Sequence, residues 1–241
     1  MPSYTDLHCH FLPGVDDGVR DIEESLALVQ GLASIGFSRL MATPHIRPGM
    51  FDNDAAQLSA AYATWKAQTA SMALPETHLA SEHFFDDGVY ARLLRGEGLP
   101  YPAQRVGQPR RSILVEFKDF FPPGFERGVR ELRRKGMTVV IAHPERYRCV
   151  WQDDSCLDPL LEAGAFLLLD ACAVTGKYGA EPERAAKKLI EGGAYEAACT
   201  DSHRPADVEE ASRAFIELDR LVGGTERARL FTEGPARILQ G

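Results

Sequence analysis

The chain has 241 residues, of which 44% are hydrophobic and 26% are charged, and its formal net charge is -8. This length suits one α/β barrel of about 250 residues, so we expect residues 1–241 to form a single domain. The acidic balance disfavours nonspecific binding to nucleic acid or to anionic membranes. No apolar stretch approaches the roughly 18 residues of a membrane span.

Short apolar runs alternate with helix-like segments along the chain. Residues 112–117 and 137–142 are the clearest strands, because β-branched and aliphatic residues run through them. Residues 97–111 are rich in Gly, Pro and Arg and are predicted to be a loop, whose role is left open. The predicted strands are 4–10, 39–43, 78–82, 112–117, 137–142, 165–169 and 194–199. The predicted helices are 21–36, 54–72, 87–95, 125–135, 157–163, 181–191, 206–222 and 225–230.

Repeated strand–helix units predict a parallel sheet. About seven units fit this chain, so we expect an α/β fold with a distorted (β/α)7 barrel, and a doubly wound open sheet is the alternative. A closed barrel would bring the first and last strands together.

The cysteines and the N-terminal residues indicate a reducing compartment. The chain has five cysteines, and this odd number includes no CxxC pair, so a disulfide framework is not expected. The first residues carry charges and histidines instead of the long apolar segment of a signal peptide. We therefore expect a cytoplasmic protein.

Histidines and carboxylates gather at the ends of the predicted strands. The C-terminal strand ends form the catalytic face of parallel α/β barrels, so these side chains should converge on one pocket. Imidazole and carboxylate donors suit Zn²⁺, Mn²⁺ or Fe²⁺, and several carboxylates can bridge two ions. The nine candidate metal ligands are His8, His10, Asp17, His45, Glu82, Glu116, His143, Asp201 and His203.

The spacing of two pairs supports this interpretation. In His8-x-His10 and in Asp201-x-His203, alternate residues of a strand point to the same side. Cys9 then points away from the pocket and is interpreted as a buried packing residue.

Other members are ambiguous when each is considered alone. Thr43-Pro44-His45 is equally consistent with a loop turn, and Glu82 by itself is weak support. Asp16 is interpreted as a turn or helix-capping residue. Glu116 ends an apolar run, where an unpaired carboxylate is costly to bury, so a ligand or ion-pair role is favoured.

Several segments together resemble the PHP (polymerase and histidinol phosphatase) superfamily. The segments 8–13 and 16–18 resemble more narrowly the bacterial tyrosine-protein phosphatases of capsule and exopolysaccharide biosynthesis. The resemblance spans residues 6–203, and residues 235–239 are also similar. The matching segments are Asp6-x-His8-x-His10, Thr43-Pro44-His45, Glu116, His143-Pro144-Glu145-Arg146 and Asp201-Ser202-His203.

The resemblance implies a metal-dependent phosphomonoesterase on a (β/α)7 barrel with two or three divalent ions. Mn²⁺ is expected, with Fe²⁺, Zn²⁺ or Co²⁺ as alternatives. The implied substrate is phosphotyrosine on a bacterial tyrosine autokinase of the capsule system; the oligomeric state stays open. The resemblance implies that His8, His10, Glu116 and Asp201 hold one ion, and that His143, Glu82, Asp17, His45 and His203 hold the others.

The resemblance also implies roles for two arginines and one histidine. Arg146 is expected to contact the substrate phosphate, and His45 is the candidate general acid. The family often has a further arginine a few residues after the DxH motif. Here Arg204 follows that motif immediately, so its equivalence as a phosphate contact is left open.

Four alternatives can be separated from this expectation. A cysteine-based tyrosine phosphatase needs an arginine six residues after the cysteine, whereas Cys199 and Arg204 are five apart. A TatD-type DNase and a histidinol-phosphate phosphatase are the enzyme alternatives. A noncatalytic PHP module should have lost some metal ligands, whereas this chain keeps every metal ligand that the resemblance implies.

Overall fold

The computed structural model describes residues 3–241. Within that range, nine short strands form two sheets, and neighbouring strands are parallel throughout. The strands are β1 (Tyr4–Cys9), β2 (Phe37–Ala42), β3 (His45–Ile46), β4 (Glu76–Leu79), β5 (Glu82–Phe84), β6 (Arg111–Glu116), β7 (Met137–Ala142), β8 (Phe166–Asp170) and β9 (Ala197–Cys199). The sheet orders are β1-β2-β4 and β3-β5-β6-β7-β8-β9.

Two barrel strands are each broken into two short ones. β2 and β3 are separated by Thr43-Pro44, because proline lacks an N–H for the ladder. β4 and β5 are separated at residues 80–81, where the sequence predicted one continuous strand over 78–82. Hydrogen bonds join the two sheets there: Ala80 N donates to Ala42 O at 2.8 Å, and Glu82 N donates to Thr43 O at 3.3 Å.

The first and last strands close the other seam. Asp201 N donates to His8 O at 3.0 Å, and His10 N donates to Ser202 O at 2.9 Å. When each broken strand is counted once, seven parallel strands enclose the interior. The structure therefore confirms the predicted distorted (β/α)7 barrel and not the open sheet.

Helices cover the outside of the barrel, and side chains cap several of them. Asp21 accepts from Glu24 N at 2.9 Å at the start of α1, and Asp54 forms a capping box with Gln57 at α2. The helices are α1 (Ile22–Ser34), α2 (Ala55–Gln68), α3 (Asp87–Leu94), α4 (Phe125–Arg134), α5 (Arg148–Gln152), α6 (Asp158–Glu162), α7 (Ala180–Glu191), α8 (Asp207–Phe231) and α9 (Glu233–Gln240). The two predicted helices over 206–222 and 225–230 are one element, α8, kinked at Gly223. Within residues 3–241, no helix is both long and apolar enough to cross a membrane.

Alternate residues of the strands pack into two cores, as the two-residue period of a strand requires. On β6, Ile113 and Val115 face the helices, whereas Leu114 belongs to a second cluster inside the barrel. The inner cluster also takes Leu7, Met41, Val140, Leu168, Ala197 and Cys199 from other strands.

The loop over 97–111 lies at the N-terminal ends of the strands. Its Tyr101 is buried in the inner core and donates from its hydroxyl to Leu7 O at 2.8 Å. Gln108 Nε2 donates to Leu239 O at 2.8 Å, so the loop also contacts α9. The loop therefore closes the end of the barrel opposite to the C-terminal strand ends. Its aromatic side chain fills space beneath the site.

Candidate metal centre

The inner face of the barrel changes from apolar to ionisable at the C-terminal strand ends. Leu114 lies in the inner core, and Glu116 follows two residues later on the same face of β6. β9 has the same pattern: Cys199 lies in the inner core and Asp201 follows it beyond the strand. The strand period therefore places the carboxylates directly above the core.

All nine predicted ligands lie in this region, in four overlapping groups. Within each group, one nitrogen or oxygen atom of every member lies within 4.8 Å of those of the others. The groups are His10–Asp17–His45–His203, His8–His10–Glu82, His8–His143–Asp201 and His45–Glu82–Glu116.

Glu82 lies at the centre of this cluster and is 1% exposed. Its Oε2 is 3.2 Å from His8 Nε2 and 3.1 Å from His45 Nδ1, and its Oε1 is 2.9 Å from His143 Nε2. The residue with weak support from the sequence thus contacts more of the predicted ligands than Glu116 does. Glu116 lies in a group with His45 and Glu82.

Asp201 and His143 occupy unusual backbone conformations. Asp201 has φ of 44° and His143 has φ of 33°, and no other non-glycine residue within 3–241 has a positive φ. This region costs about 1–3 kcal/mol for residues with side chains, and such strain concentrates at functional sites. Asp201 Oδ1 is consequently held 3.0 Å from His8 Nε2 and 3.3 Å from His10 Nε2.

The donor set fits bound divalent cations. His8 Nε2 and His10 Nε2 lie 3.0 Å apart, so the two nitrogens converge on one point. Several buried polar atoms here lack a hydrogen-bond partner among the described residues, including His8 Nδ1, Glu116 Oε2, His143 Nδ1 and Asp201 Oδ1. Nitrogen and oxygen donors in this number suit Mn²⁺, Fe²⁺, Zn²⁺ or Co²⁺.

The ionisation of the cluster also favours cations. Burial raises the pKa of Glu116 to about 7, and the neighbouring carboxylate of Glu82 adds to that shift. Burial opposes charging of His8, but Glu82 and Asp201 outweigh it and raise the pKa of His8 to about 10. Burial likewise opposes ionisation of Glu82, yet the charges of His8 and His45 hold its pKa well below the usual value. The buried carboxylates therefore require compensating positive charge, which divalent ions can supply.

Asp16 orients two of the imidazole-bearing segments. Its Oδ2 accepts from His10 Nδ1 at 2.7 Å and from His45 N at 3.0 Å, and its Oδ1 accepts from Gly18 N at 2.9 Å. The turn predicted from the sequence is present, but Asp21 caps the helix. Asp16 also orients His10 by accepting from its Nδ1, the ring nitrogen that faces away from the cluster. The Asp-Asp-Gly pattern gave no signal for this role.

Gly18 cannot carry a side chain in this turn, because a Cβ there would lie 2.3 Å from His10 O. Asp17, the neighbouring candidate ligand, is half exposed. Its Oδ1 lies 3.4 Å from His45 Nε2 and 3.5 Å from His203 Nε2, so it forms the solvent-facing edge of the cluster.

Asp6 ties the two chain ends together beneath the cluster. It accepts from Thr200 Oγ1 at 2.6 Å and from Thr200 N at 3.1 Å. Asp6 was not identified as a site residue from the sequence. Its alternation with His8 and His10 along the strand was the signal that could have placed it on the same face.

Arg146 lies beside the centre in a cradle formed by Asp170, Asp201 and the ring of Tyr178. Its guanidinium donates to Asp201 Oδ2 at 2.6 Å and to Asp170 Oδ2, and it stacks over the Tyr178 ring at 3.8 Å from the centroid. Asp170 and Tyr178 were not identified from the sequence. They come from β8 and from the segment before α7, and only the folded chain brings them to Arg146.

Arg204 has a different environment. Its guanidinium donates to the backbone carbonyls of Gly18 and His203, the second at 2.9 Å. It therefore holds together the two segments that carry Asp17 and His203.

The cysteines lie outside the cluster of ionisable groups. Cys9 is buried, as predicted, and its thiol donates to Ser202 O at 3.4 Å. Cys199 is also buried, and burial holds the pKa of its thiol well above the usual value. Such a thiol is a poor nucleophile, which argues against the cysteine-based mechanism.

Proteins of known sequence resemble this chain over nearly its full length. Tyrosine-protein phosphatase YwqE of Bacillus subtilis (strain 168) is 28% identical over 237 residues, covering 98% of this chain and 91% of that protein. Tyrosine-protein phosphatase CpsB of Streptococcus pneumoniae is 23% identical over 244 residues, covering 97% of each.

Solved structures share the fold. One described as YwqE from Bacillus subtilis and CpsB from Streptococcus pneumoniae, "unique metal-dependent tyrosine phosphatases", matches with a TM-score of 0.84 at 24% identity, covering 98% of this chain and 94% of that one. A phosphotriesterase homology protein from Escherichia coli, complexed with phosphate in its active site, matches with a TM-score of 0.62 at 13% identity, covering 99% of each. A sequence model of one family, described as capsular polysaccharide synthesis, CpsB/CapC, matches residues 4–240, and this chain belongs to that family.

Proposed function

We propose that this protein is a metal-dependent phosphomonoesterase that hydrolyses phosphotyrosine in proteins. The observation that carries the proposal is the convergence of nine ligand-type side chains on one pocket beside the guanidinium of Arg146. Membership of the CpsB/CapC family supports it, because relatives in the comparison are named tyrosine-protein phosphatases.

Two or three divalent ions, with Mn²⁺ as our first choice, would be held by the nine side chains. When bound, they would neutralise phosphate charge and lower the pKa of a water molecule for attack on phosphorus. We assign Glu82 and Asp201 as shared ligands, because each contacts histidines of more than one group.

Arg146 would bind a non-bridging oxygen of the phosphate through charge-assisted hydrogen bonds. Arg146 Nη2 donates to Asp170 and Asp201, which hold the guanidinium at the edge of the cluster, and stacking on Tyr178 leaves the remaining in-plane N–H groups for phosphate. Arg204 would support this pocket indirectly, through the segments it joins.

A phenolate leaving group has a pKa of about 10, so it needs less protonation than an alkoxide. His45 would be the proton donor where its Nε2, which faces the partly exposed Asp17 at 3.4 Å, is not taken up as a metal ligand. Its Nδ1 faces Glu82 at 3.1 Å, so the ring is oriented from the opposite side.

The decisive test is hydrolysis of an aryl phosphate and of a phosphotyrosyl peptide by the Mn²⁺-loaded protein. We expect chelator to abolish turnover and His143→Ala to reduce it by at least about 100-fold, because His143 contacts the central carboxylate at 2.9 Å. Cys199→Ser should retain activity, since the thiol is buried away from the pocket. Full activity of His143→Ala with normal metal content would refute the assignment.

The substrate class is tested with parallel assays. We propose that the physiological substrate is a bacterial tyrosine autokinase of polysaccharide assembly, in the cytoplasm. The five free thiols are compatible with that reducing compartment. Faster turnover of histidinol phosphate or of DNA than of a phosphotyrosyl peptide would favour the corresponding alternative enzyme.

A further inference from the structure

The end of β3 carries an arginine that the sequence interpretation left without a role. Arg47 stands two residues beyond His45, so the strand period directs both side chains toward the same face. His45 pairs in register with Glu82 on β5, and Phe84 pairs with Glu116 on β6. Arg47, Phe84 and Glu116 therefore form a row at the C-terminal strand ends, one step above His45 and Glu82.

The contacts of Arg47 agree with that register. Its guanidinium lies over the Phe84 ring, 4.0 Å from the centroid, and its Nη1 is 4.0 Å from Glu116 Oε2. The backbone is fixed by a tight turn, because Arg47 N donates to Phe51 O at 3.0 Å and Phe51 N donates to Arg47 O at 2.8 Å. The guanidinium is thus positioned beside the centre before any ligand arrives.

Arg47 matches Arg146 in three respects. Each guanidinium stacks on an aromatic ring, Phe84 for one and Tyr178 for the other. Each lies beside a carboxylate of the cluster, and their side chains are similarly accessible, at 27% and 22% exposure. The two arginines lie beside different groups of candidate metal ligands, since Arg47 is beside Glu116 and Arg146 is beside Asp201.

A simple ion pair does not explain this arrangement well. At 4.0 Å and with partial exposure, the contact with Glu116 is at the outer limit of an ion pair and contributes little. Stacking on a ring face leaves the in-plane N–H donors of an arginine free for a planar or tetrahedral oxyanion. A phosphate monoester has three non-bridging oxygens, more than one guanidinium can satisfy.

We propose that Arg47 is a second substrate-binding arginine, which donates to a non-bridging phosphate oxygen from the Glu116 side of the centre while Arg146 donates from the Asp201 side. This inference rests on the proposed phosphatase function and adds a residue to its phosphate pocket. Phe84 is then a positioning residue, because its ring fixes the orientation of the Arg47 guanidinium.

The experiment measures binding of inorganic phosphate to the Mn²⁺-loaded protein by calorimetry, together with kcat and KM for an aryl phosphate. Arg47→Met keeps the length and apolar contact with Phe84 but removes the donors, and Arg47→Lys keeps the charge alone. Arg39→Met is the matched control, because Arg39 is also partly exposed, at 34%, and pairs with Glu76 near the other end of the barrel.

We expect Arg47→Met to weaken phosphate binding by about 10-fold or more, as loss of a charge-assisted hydrogen bond predicts. KM should rise with it and the metal content should stay unchanged. Arg47→Lys should recover part of the affinity, and Arg39→Met should match the wild type.

Phosphate affinity within twofold of the wild type in Arg47→Met would overturn the proposal. So would a loss of metal that parallels the loss of affinity, since Arg47 would then only balance the charge of Glu116. A wild-type protein that binds phosphate in this Arg47-dependent way but hydrolyses no phosphate ester would refute the proposed function and keep the binding site.

Discussion

The carboxylate of Asp16 offers the sharpest test of how the centre is organised. Both carboxylate oxygens of Asp16 accept hydrogen bonds from N–H donors. In Asp16→Asn, an NH₂ group replaces one of these two oxygens. If the remaining oxygen faces His10 and His45, the new NH₂ group meets the N–H of Gly18, 2.9 Å away. If the amide is flipped, it meets the donors of His10 and His45 instead. No rotamer satisfies all three donors.

The magnitude follows from these contacts. Loss of the charge on the bond to His10 costs about 1 kcal/mol, and an unsatisfied buried N–H costs about 1–3 kcal/mol. Carboxylates that orient ligand histidines typically contribute about 10–100-fold in metal affinity or activity. We therefore expect Asp16→Asn to lower Mn²⁺ affinity and kcat/KM for an aryl phosphate by about 10–100-fold.

A chelator-competition titration measures the affinity, and steady-state kinetics measure the activity. Asp21→Asn is the control, because it makes the same chemical change at the N-cap of α1, where Asn caps as well as Asp. If Asp16→Asn and Asp21→Asn both stay within threefold of the wild type, Asp16 does not orient the centre and our argument fails.

Three further predictions concern the surroundings of the centre. Tyr178→Leu should raise KM for an aryl phosphate about 3–30-fold through loss of the cation–π contact with Arg146, whereas Tyr178→Phe should not; equal effects would exclude stacking as the cause. Gly18→Ala should destabilise the protein by about 1–3 kcal/mol, because its Cβ meets His10 O, and unchanged thermal unfolding would contradict that clash. Burial lowers the pKa of His83 from 6.5 to about 4, so the unfolded state gains its proton first as pH falls. The metal-free protein should therefore lose about 2 kcal/mol of unfolding free energy between pH 7 and pH 4.5 through this group, and His83→Gln should show a shallower dependence; parallel urea-denaturation profiles would disprove it.

Much of the barrel was predictable because its strands are short apolar runs that end in ionisable residues. The strand over 137–142 has the bounds that the sequence predicted, and the apolar run over 112–117 ends in Glu116 at the C-terminal end of its strand. The nine side chains that the sequence selected lie together for the same reason. Their roles as ligands stay a proposal.

The remaining features depend on contacts between distant segments. Nothing local in the weakly apolar run over 78–82 specifies that it splits between two sheets, with Glu82 as the first residue of the second strand. The cradle of Arg146 combines β8 with a later loop residue, Tyr178, so no short motif could contain it. The role of the loop over 97–111 could not be predicted, because its one buried residue, Tyr101, is isolated among Gly, Pro and polar residues.

The hydrogen bonds between Asp6 and Thr200 join residues that are 194 positions apart. Closing so long a loop costs conformational entropy and slows formation of the contact, so we expect it to form in a late step of folding. During synthesis, His8 and His10 leave the ribosome long before the segment that carries Asp201 and His203. A partly made chain would therefore hold only part of the donor set. We expect hydrolysis to begin only after the last strand has docked against the first, so that activity reports a chain that has been made and folded through residue 203.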